Sequence, residues 1–196
     1  PYVLACDHAG RVIPQKLAGL QLGEHALSTH VAWDLGVAAL GRRLSARLDA
    51  CVVLNNYSRL VIDANRPPGA ADSIPTLSER TRIAANHALS ADAVRARVEE
   101  VFRPYHQRID DALEARRDRP SALVALHSFT PVYLDEPRPW HVGVLYGRDP
   151  RLGRLVLEAL RRDPALVVGD NQPYAVSDAT DYTIVAHGEQ RRIPHV

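Results

Sequence analysis

Residues 123–131 read LVALHSFTP, in which four apolar residues lead directly into a histidine. An apolar run of this length is typical of a strand buried on both faces, as in a parallel sheet. His127 then stands where that strand would end, and open α/β sheets bind their ligands outside the carboxyl ends of the strands. We therefore expect His127 to lie at a site built from the ends of several strands.

Other apolar runs along the chain also end in polar side chains. Helical patterns separate these runs, at residues 29–48, 90–118 and 149–163. This alternation predicts a single α/β domain over residues 1–196, with a mainly parallel central sheet flanked by helices. The polar groups at the ends of the runs are Asp7 with His8, Asp63 with Asn65 and Arg66, His127 with Ser128, and Asp170 with Asn171.

The composition of the chain restricts the kinds of partner and the surroundings that we expect for the protein. Lys and Arg number 24 against 23 Asp and Glu, and this balance does not favour nucleic acid or anionic lipid as a partner. There is no run of 18 apolar residues, so no membrane span is predicted. Two cysteines do not make a disulfide framework, and they favour a reducing compartment such as the cytoplasm.

The strand-end histidines suggest a metal site. His8 and His127 with one carboxylate would suit zinc, which takes three protein ligands and an open position in hydrolytic sites. The residues alone leave a purely structural role for both histidines as an equal alternative. His30 and Asp34 stand four residues apart in a predicted helix, where a surface pair is favoured over a ligand pair. The remaining histidines considered, which we expect to be structural, are His25, His87, His106, His141 and His195.

A second strand end suits the capture of an anion. Arg66 follows Asn65 and precedes Pro67 and Pro68, so a rigid turn would hold a guanidinium that can bind a carboxylate with two hydrogen bonds. The alternative is that Arg66 pairs with Asp63 and only stabilises the turn.

An ordered series of blocks resembles the N-formylglutamate amidohydrolase family from Tyr2 to Val196. The blocks are CDHAGRVIP, HVAWDLG, YSRLVIDANRPPGAADSIP, PYHQRID, LHSFTP, RPWHVGVLY, GDNQPYAVSDATDYTIVAHGE and IPHV. They also resemble the zinc carboxypeptidase and aspartoacylase-like architecture, so the resemblance implies a zinc-exopeptidase-like fold. The implied reaction is zinc-dependent cleavage of N-formyl-L-glutamate, or a similar N-acyl acidic amino acid, to formate and the free amino acid, a step of histidine degradation. The alternative is a fold-mate that binds a dicarboxylate or an acyl amino acid without turnover.

The resemblance also implies a role for individual residues. His8 and His127 would be zinc ligands. The acidic ligand expected three residues after the first histidine is replaced here by Arg11, so we expect Asp34 as the third ligand, with Asp7 as second choice. The implied substrate contacts are Asn65 and Arg66 on a carboxylate, Arg59 on a second carboxylate or the developing oxyanion, and Asn171 and Tyr174 closing over the substrate.

The resemblance also implies a general base. In the resembling enzymes a glutamate takes a proton from the attacking water, and the resemblance places it in a strand just after IPHV. Glu189, in AHGE, is not assigned this role. Because the sequence contains no methionine, we expect the polypeptide to extend beyond the residues given and to carry this glutamate after Val196.

Overall fold

The computed structural model describes residues 1–196 and has a parallel sheet at its centre. Its helices are α1 (Glu24–Ser28), α2 (Val37–Leu48), α3 (Ala91–Arg97), α4 (Arg103–Glu114) and α5 (Arg151–Leu160), with 3-10 turns at Gln15–Gln21 and Ala84–Asn86 and π-helical turns at Val98–Phe102 and Ile184–Glu189. Its strands are β1 (Tyr2–Cys6), β2 (Cys51–Leu54), β3 (Leu77–Ser78), β4 (Thr81–Arg82), β5 (Ala122–Ala125), β6 (Val132–Tyr133), β7 (Glu136–Pro137), β8 (Val142–Val144) and β9 (Val168–Asp170).

The central sheet has the order β2–β1–β5, and all of its strands are parallel. Because successive side chains of β1 point to opposite faces, Val3 and Ala5 pack with α4 while Cys6 packs with Val37 of α2. The sheet is therefore covered by helices on both faces, as the sequence predicts. β8 and β9 form a second parallel pair, and β3–β4 and β6–β7 are short antiparallel hairpins.

Residues 194–196 run beside the edge of this sheet. His195 forms a parallel bridge with Leu123, and the amide of Ala125 donates to the carbonyl of Val196 at 2.9 Å. The chain therefore adds a further parallel segment next to β5, on the side away from β1. None of the helices is both long and apolar enough to cross a membrane.

The helix predicted over residues 29–48 is wrong in its first part. Residues 29–36 form turns, and α2 begins only at Val37, after Gly36 with a φ of 82°. The amide of Asp34 donates to the carbonyl of His8 at 2.9 Å, a long-range contact that a helical Asp34 would not make. His30 and Asp34 therefore do not form a helical pair, and His30 bonds Glu79 instead.

The strand-like run at residues 59–66 is also not a strand. Its apolar residues Leu60, Val61 and Ile62 are buried in the core, but their backbone turns. Side chains take the place of a neighbouring strand, since Asn86 donates to the carbonyl of Leu60 and Arg97 donates to that of Val61. The run is apolar because it is buried in the core, and not because it forms a strand. Its buried backbone carbonyls still need hydrogen-bond donors, and side chains can supply them as well as a strand can.

The long helix predicted over 90–118 is present, with an interruption. Ser90 caps α3 by accepting from the amide of Ala93, as predicted. α3 continues into the π-helical turn Val98–Phe102 and then into α4, which carries Pro104 in its first turn. The wider turn accommodates the missing amide of Pro104 without ending the helix.

His106 lies in the core at the sheet-facing side of α4. It is 6% exposed, its Nε2 donates to the carbonyl of Ala64 at 2.9 Å, and its Nδ1 lies 2.9 Å from Nε2 of His187. Burial lowers the pKa of His106 to about 4, and neighbouring His187 adds to this effect. The structural role expected of His106 agrees with these contacts.

We expect His106 to make the protein sensitive to acid. The unfolded chain takes up a proton on His106 below its ordinary pKa of about 6.5, whereas the folded protein does not until about 4, so stability is lost as the pH falls through this window. Between pH 7 and 5 the loss is expected to be about 2 kcal/mol larger for the wild type than for His106→Gln. Urea unfolding measures this difference. His25→Gln, at an exposed position, should behave as the wild type, and an equal loss in all three proteins would contradict the assignment.

Candidate metal centre

Three predicted ligands meet at the carboxyl ends of the central strands. His8, Asp34 and His127 each present a ligand atom, and these atoms lie within 4.8 Å of one another. His8 and Asp34 are buried, while the side chain of His127 is 31% exposed. The cluster is therefore open to solvent on the His127 side.

Strand register brings these residues together. β1 and β5 pair Ala5 with Ala125, so the chain two residues further on places Asp7 beside His127. Asp34 reaches the cluster from the turns before α2. Its carboxylate Oδ2 lies 3.0 Å from Nδ1 of His127 and accepts from the amide of Ser128 at 3.1 Å.

Each histidine has a carboxylate at its far nitrogen. Nε2 of His8 lies 2.7 Å from Oδ1 of Asp63, and Nε2 of His127 lies 3.1 Å from Oδ2 of Asp7. Both Nδ1 atoms are turned towards Asp34, at 3.5 Å for His8 and 3.0 Å for His127. Carboxylates on the outer nitrogen fix the tautomer and orientation of metal-binding histidines, so this arrangement leaves Nδ1 of each ring available as a ligand.

The fixed charges of the cluster do not balance while both histidines are neutral. Asp7, Asp34 and Asp63 are all at most 5% exposed, and the guanidinium of Arg59 faces two of them. Three carboxylates and one arginine leave two negative charges if the histidines are neutral. Buried charges are normally paired or bound to metal, so a divalent cation would complete the site.

The pKa values of the cluster indicate that its histidines can balance this charge by protonation. Burial alone would lower the pKa of His127, but its contacts with Asp34 and Asp7 raise it to about 10. Burial alone would raise the pKa of Asp7, but His127, His8 and Thr183 lower it to about 2. Protonated histidine therefore supplies positive charge where a metal would otherwise supply it.

The residues present fit a zinc ion. Nδ1 of His8 is buried and has no hydrogen-bond partner, which is costly for a polar atom unless a ligand binds it. Two imidazole nitrogens and one carboxylate oxygen are the donor types of catalytic zinc sites with three protein ligands. Asp7, the second choice as ligand, lies behind His127 and orients that ring.

Two arginines predicted at the site occupy different positions. Arg59 lies in the cluster, with Nη2 donating to Oδ2 of Asp63 at 2.9 Å and Nη1 at 3.5 Å from Oδ1 of Asp34. Arg66 pairs with Asp72, at 2.7 Å from Nε, and also donates to the carbonyl of Thr180. The alternative in which the Arg66 guanidinium pairs with Asp63 is therefore not what the structure shows.

Two residues expected to contact substrate have structural partners. The amide group of Asn65 donates to Asp181, and its oxygen accepts from the backbone amides of Tyr182 and Thr183. Asn171 accepts from the amide of Tyr146. These contacts use both polar atoms of Asn65 but only Oδ1 of Asn171, and the substrate-binding role of both residues remains a prediction.

The other two residues considered lie at the surface or away from the cluster. Tyr174 is 52% exposed, and its ring stacks under Arg138 at 5.3 Å. An exposed aromatic side chain of this kind remains free to contact a ligand. Glu189 pairs with Arg148, so it is not available as a base at the histidine cluster.

Sequence reasoning missed the residues that hold Asp7. The hydroxyls of Tyr105 and Thr183 both donate to Oδ1 of Asp7 at 2.7 Å, which leaves Oδ2 towards His127. Tyr105 stands in the block PYHQRID and Thr183 in DYTIVAHGE, but nothing in either pattern indicates a partner on β1. Only the packing of α4, and of the π-helical turn at Ile184–Glu189 that Thr183 precedes, against the sheet brings them to Asp7.

We expect Tyr105→Phe to weaken zinc binding without removing it. Loss of an outer partner of a metal site typically costs about 10- to 100-fold in affinity, and Thr183 still holds Asp7, so the lower end is expected. Competition with a zinc-binding dye measures the change. Tyr146→Phe is the matched control, because it removes a hydroxyl bonded to Asp170 outside the cluster. Equal zinc affinity in both variants would show that Tyr105 does not position the ligand.

A parallel α/β domain with a histidine–carboxylate cluster at its strand ends has a fold consistent with a hydrolase. Residues 1–196 match the family model of N-formylglutamate amidohydrolase. The chain belongs to this family, which acts on an amide bond, and the resemblance seen in the sequence is thereby confirmed.

A solved crystal structure is similar to this chain over nearly its whole length. The gene product Atu2144 from Agrobacterium tumefaciens is 35% identical, with a TM-score of 0.94 over 99% of this chain and 77% of that chain. A search of curated proteins finds no match.

Proposed function

We propose that the protein is a zinc-dependent amidohydrolase that cleaves N-formyl-L-glutamate, or a similar N-acyl acidic amino acid, to formate and the free amino acid. Family membership supports hydrolysis of an amide. The observation that carries the metal dependence is the buried cluster, with its unpartnered His8 nitrogen and with three buried carboxylates, whose charge Arg59 balances only in part. We place the fold among zinc-exopeptidase-like hydrolases and the protein in the cytoplasm, where its free cysteines Cys6 and Cys51 would stay reduced.

The zinc ion and the side chains of the protein would have separate roles in the reaction. Zinc held by His8, Asp34 and His127 would supply Lewis acidity to the scissile carbonyl and to water. Arg59 faces the same cluster and carries a fixed positive charge, so it can stabilise negative charge that develops on the carbonyl oxygen. Asp63 and Asp7 hold the two imidazoles, and Arg59 is itself fixed by Asp63.

The general base is proposed to be a glutamate that follows Val196 in sequence. Residues 194–196 already run parallel to β5, whose continuation carries His127. A strand that continues in this direction would approach the carboxyl edge of the sheet, where the cluster lies. A base there needs to reach the attacking water at about 2.6–3.2 Å.

The substrate carboxylate is proposed to bind Arg66. Its present partners are Asp72, which is itself more than half exposed, and a backbone carbonyl. An incoming carboxylate can replace such a partner at modest cost, because exposed ion pairs contribute little. The Arg66 side chain is 21% exposed, so it is accessible.

The deciding experiment uses the full-length protein. It measures formate release from N-formyl-L-glutamate before and after chelation and after zinc is restored, with N-formylglutamine as a substrate of similar size that lacks the side-chain carboxylate. We expect turnover that needs zinc and prefers the acidic substrate. Binding of N-formylglutamate by calorimetry without any turnover would instead support a protein that binds an acyl amino acid. Turnover unaffected by complete metal removal would refute the zinc assignment.

Arg66→Lys is expected to raise KM with little change in kcat. Lysine keeps the charge but cannot form two parallel hydrogen bonds, and the lost contact should cost about 2 kcal/mol, or roughly 30-fold in KM. Steady-state kinetics and the melting temperature together test this. An unchanged KM with a large fall in melting temperature would assign Arg66 to the turn that contacts Asp72 and Thr180.

A further inference from the structure

A cavity lies apart from the histidine cluster. Its volume is about 430 Å³, which is within the usual range for small-molecule sites. It is formed by the 3-10 turn at Gln15–Gln21, by α3 and by Val61, and its lining is largely apolar. None of the residues at the metal centre lines it.

Arg97 is the buried charged residue of this cavity, whose lining also includes Lys16, Gln21 and Glu100. It is 5% exposed, and its Nη1 donates to the carbonyl of Val61 and to Oδ1 of Asn86, both at 2.8 Å. Both acceptors are neutral, and no carboxylate lies within ion-pair distance of the guanidinium. Its Nε is buried without any hydrogen-bond partner.

The structural task of Arg97 does not need its charge. The carbonyl of Val61 requires a donor because the 59–66 segment forms no strand, but a neutral amide would serve as well. A buried cation without a counter-charge is costly, and burial lowers the pKa of Arg97 accordingly. The charge and the free Nε are therefore in excess of what the fold uses.

The nearby charged residues do not supply the missing partner. Glu100 also lines the cavity, but it pairs with Lys16, and both side chains are more than half exposed. The wall opposite α3 contains Ala18, Leu20 and Gln21 with positive φ values of 46°, 55° and 57°. Strained backbone of this kind is often found at sites that hold a ligand.

We propose that this cavity binds a small monocarboxylate with an apolar body, whose carboxylate accepts from Arg97. The apolar lining would hold the hydrocarbon part, and the ligand would provide the counter-charge that the protein lacks. The site differs from the proposed substrate site in chemistry, since N-formylglutamate carries two carboxylates and little apolar surface. The proposal does not depend on the proposed function.

Octanoate is the probe, and octan-1-ol is its uncharged counterpart of equal chain length. Calorimetry on the full-length protein is expected to show octanoate binding at least about tenfold tighter, because octan-1-ol cannot accept the charge-assisted hydrogen bond that the carboxylate accepts from Arg97. Arg97→Gln should abolish this preference while keeping a donor for Val61. Equal affinity for octanoate and octan-1-ol, or no octanoate binding at millimolar concentration, would overturn the proposal.

A second pair of variants tests the location without touching Arg97. Ala93 lines the cavity, so Ala93→Phe should fill it and weaken octanoate binding at least about tenfold. Ala91→Phe is the matched control on the same helix, because Ala91 is exposed and does not line the cavity. Octanoate binding that is unchanged in Ala93→Phe would place the ligand elsewhere and refute the site.

Discussion

His127→Asn is expected to remove tightly bound zinc and to lower kcat/KM on N-formylglutamate by about 10³-fold or more. Lewis-acid stabilisation contributes several kcal/mol to such reactions, and each 1.36 kcal/mol corresponds to a factor of ten. His127 is the proposed ligand on the solvent side, with its ring between Asp34 and Asp7. Its loss leaves two protein ligands, which is fewer than a catalytic zinc site uses.

We expect the fold to survive this change with a lower melting temperature, because the buried Asp7 and Asp34 lose their contact with His127. His127 lies beyond the end of β5, and its side chain is 31% exposed, so its removal opens no cavity in the core. Zinc content by mass spectrometry, activity and melting temperature are measured together, with His25→Asn at an exposed position as control. A His127→Asn protein that keeps one equivalent of zinc and full activity would show that the cluster is not the catalytic metal site.

Arg59→Gln is expected to lower kcat by about 10²–10³-fold while zinc stays bound. Removing one stabilising group at a developing oxyanion has an effect of this size. The variant also removes the guanidinium that faces Asp34 and Asp63, so the site becomes more negative and its attraction for a divalent cation increases. Activity and zinc affinity should therefore change in opposite directions, unlike in His127→Asn.

The opposite changes in activity and in zinc affinity distinguish a role of the Arg59 charge in the reaction from a role in holding Asp63. If Arg59 only held Asp63 in place, its loss would weaken zinc binding through His8, and activity would fall in parallel. Zinc titration and single-turnover kinetics on the same preparations measure both quantities. Arg43→Gln is the control, since Arg43 is exposed on α2 and forms no ion pair. Unchanged kcat in Arg59→Gln would exclude a role for this charge in the reaction.

The local sequence pattern predicted the elements whose hydrogen bonds are local or whose two faces are both covered. The apolar runs at β1, β2 and β5 were identifiable because strands covered on both faces need apolar side chains throughout. Ser90 was identifiable as a cap because its partner is three residues away. The position of His8 and His127 followed from the same reasoning, since parallel strands bring their carboxyl ends to one edge.

Tertiary packing decided the segments where the pattern failed. Residues 59–66 are apolar because they are buried, but their carbonyls are satisfied by side chains from Asn86 and Arg97. Residues 29–36 have helical spacing, but the amide of Asp34 bonds the carbonyl of His8. A single sequence does not show such partners, because they are distant along the chain.

The sequence by itself therefore determined the α/β class and the candidate ligands His8 and His127, since these depend on residue type and strand ends, and its resemblance to a family added Asp34 as the third candidate ligand. The tertiary structure decided that Asp7 and Asp63 orient the imidazoles, that Tyr105 and Thr183 hold Asp7, and that Arg59 rather than Arg66 faces the cluster. The physical reason is the separation of these residues along the chain. Hydrogen bonds and charge compensation at this centre join residues up to 176 positions apart, whereas the periodicity of the sequence reflects only residues that are close in sequence.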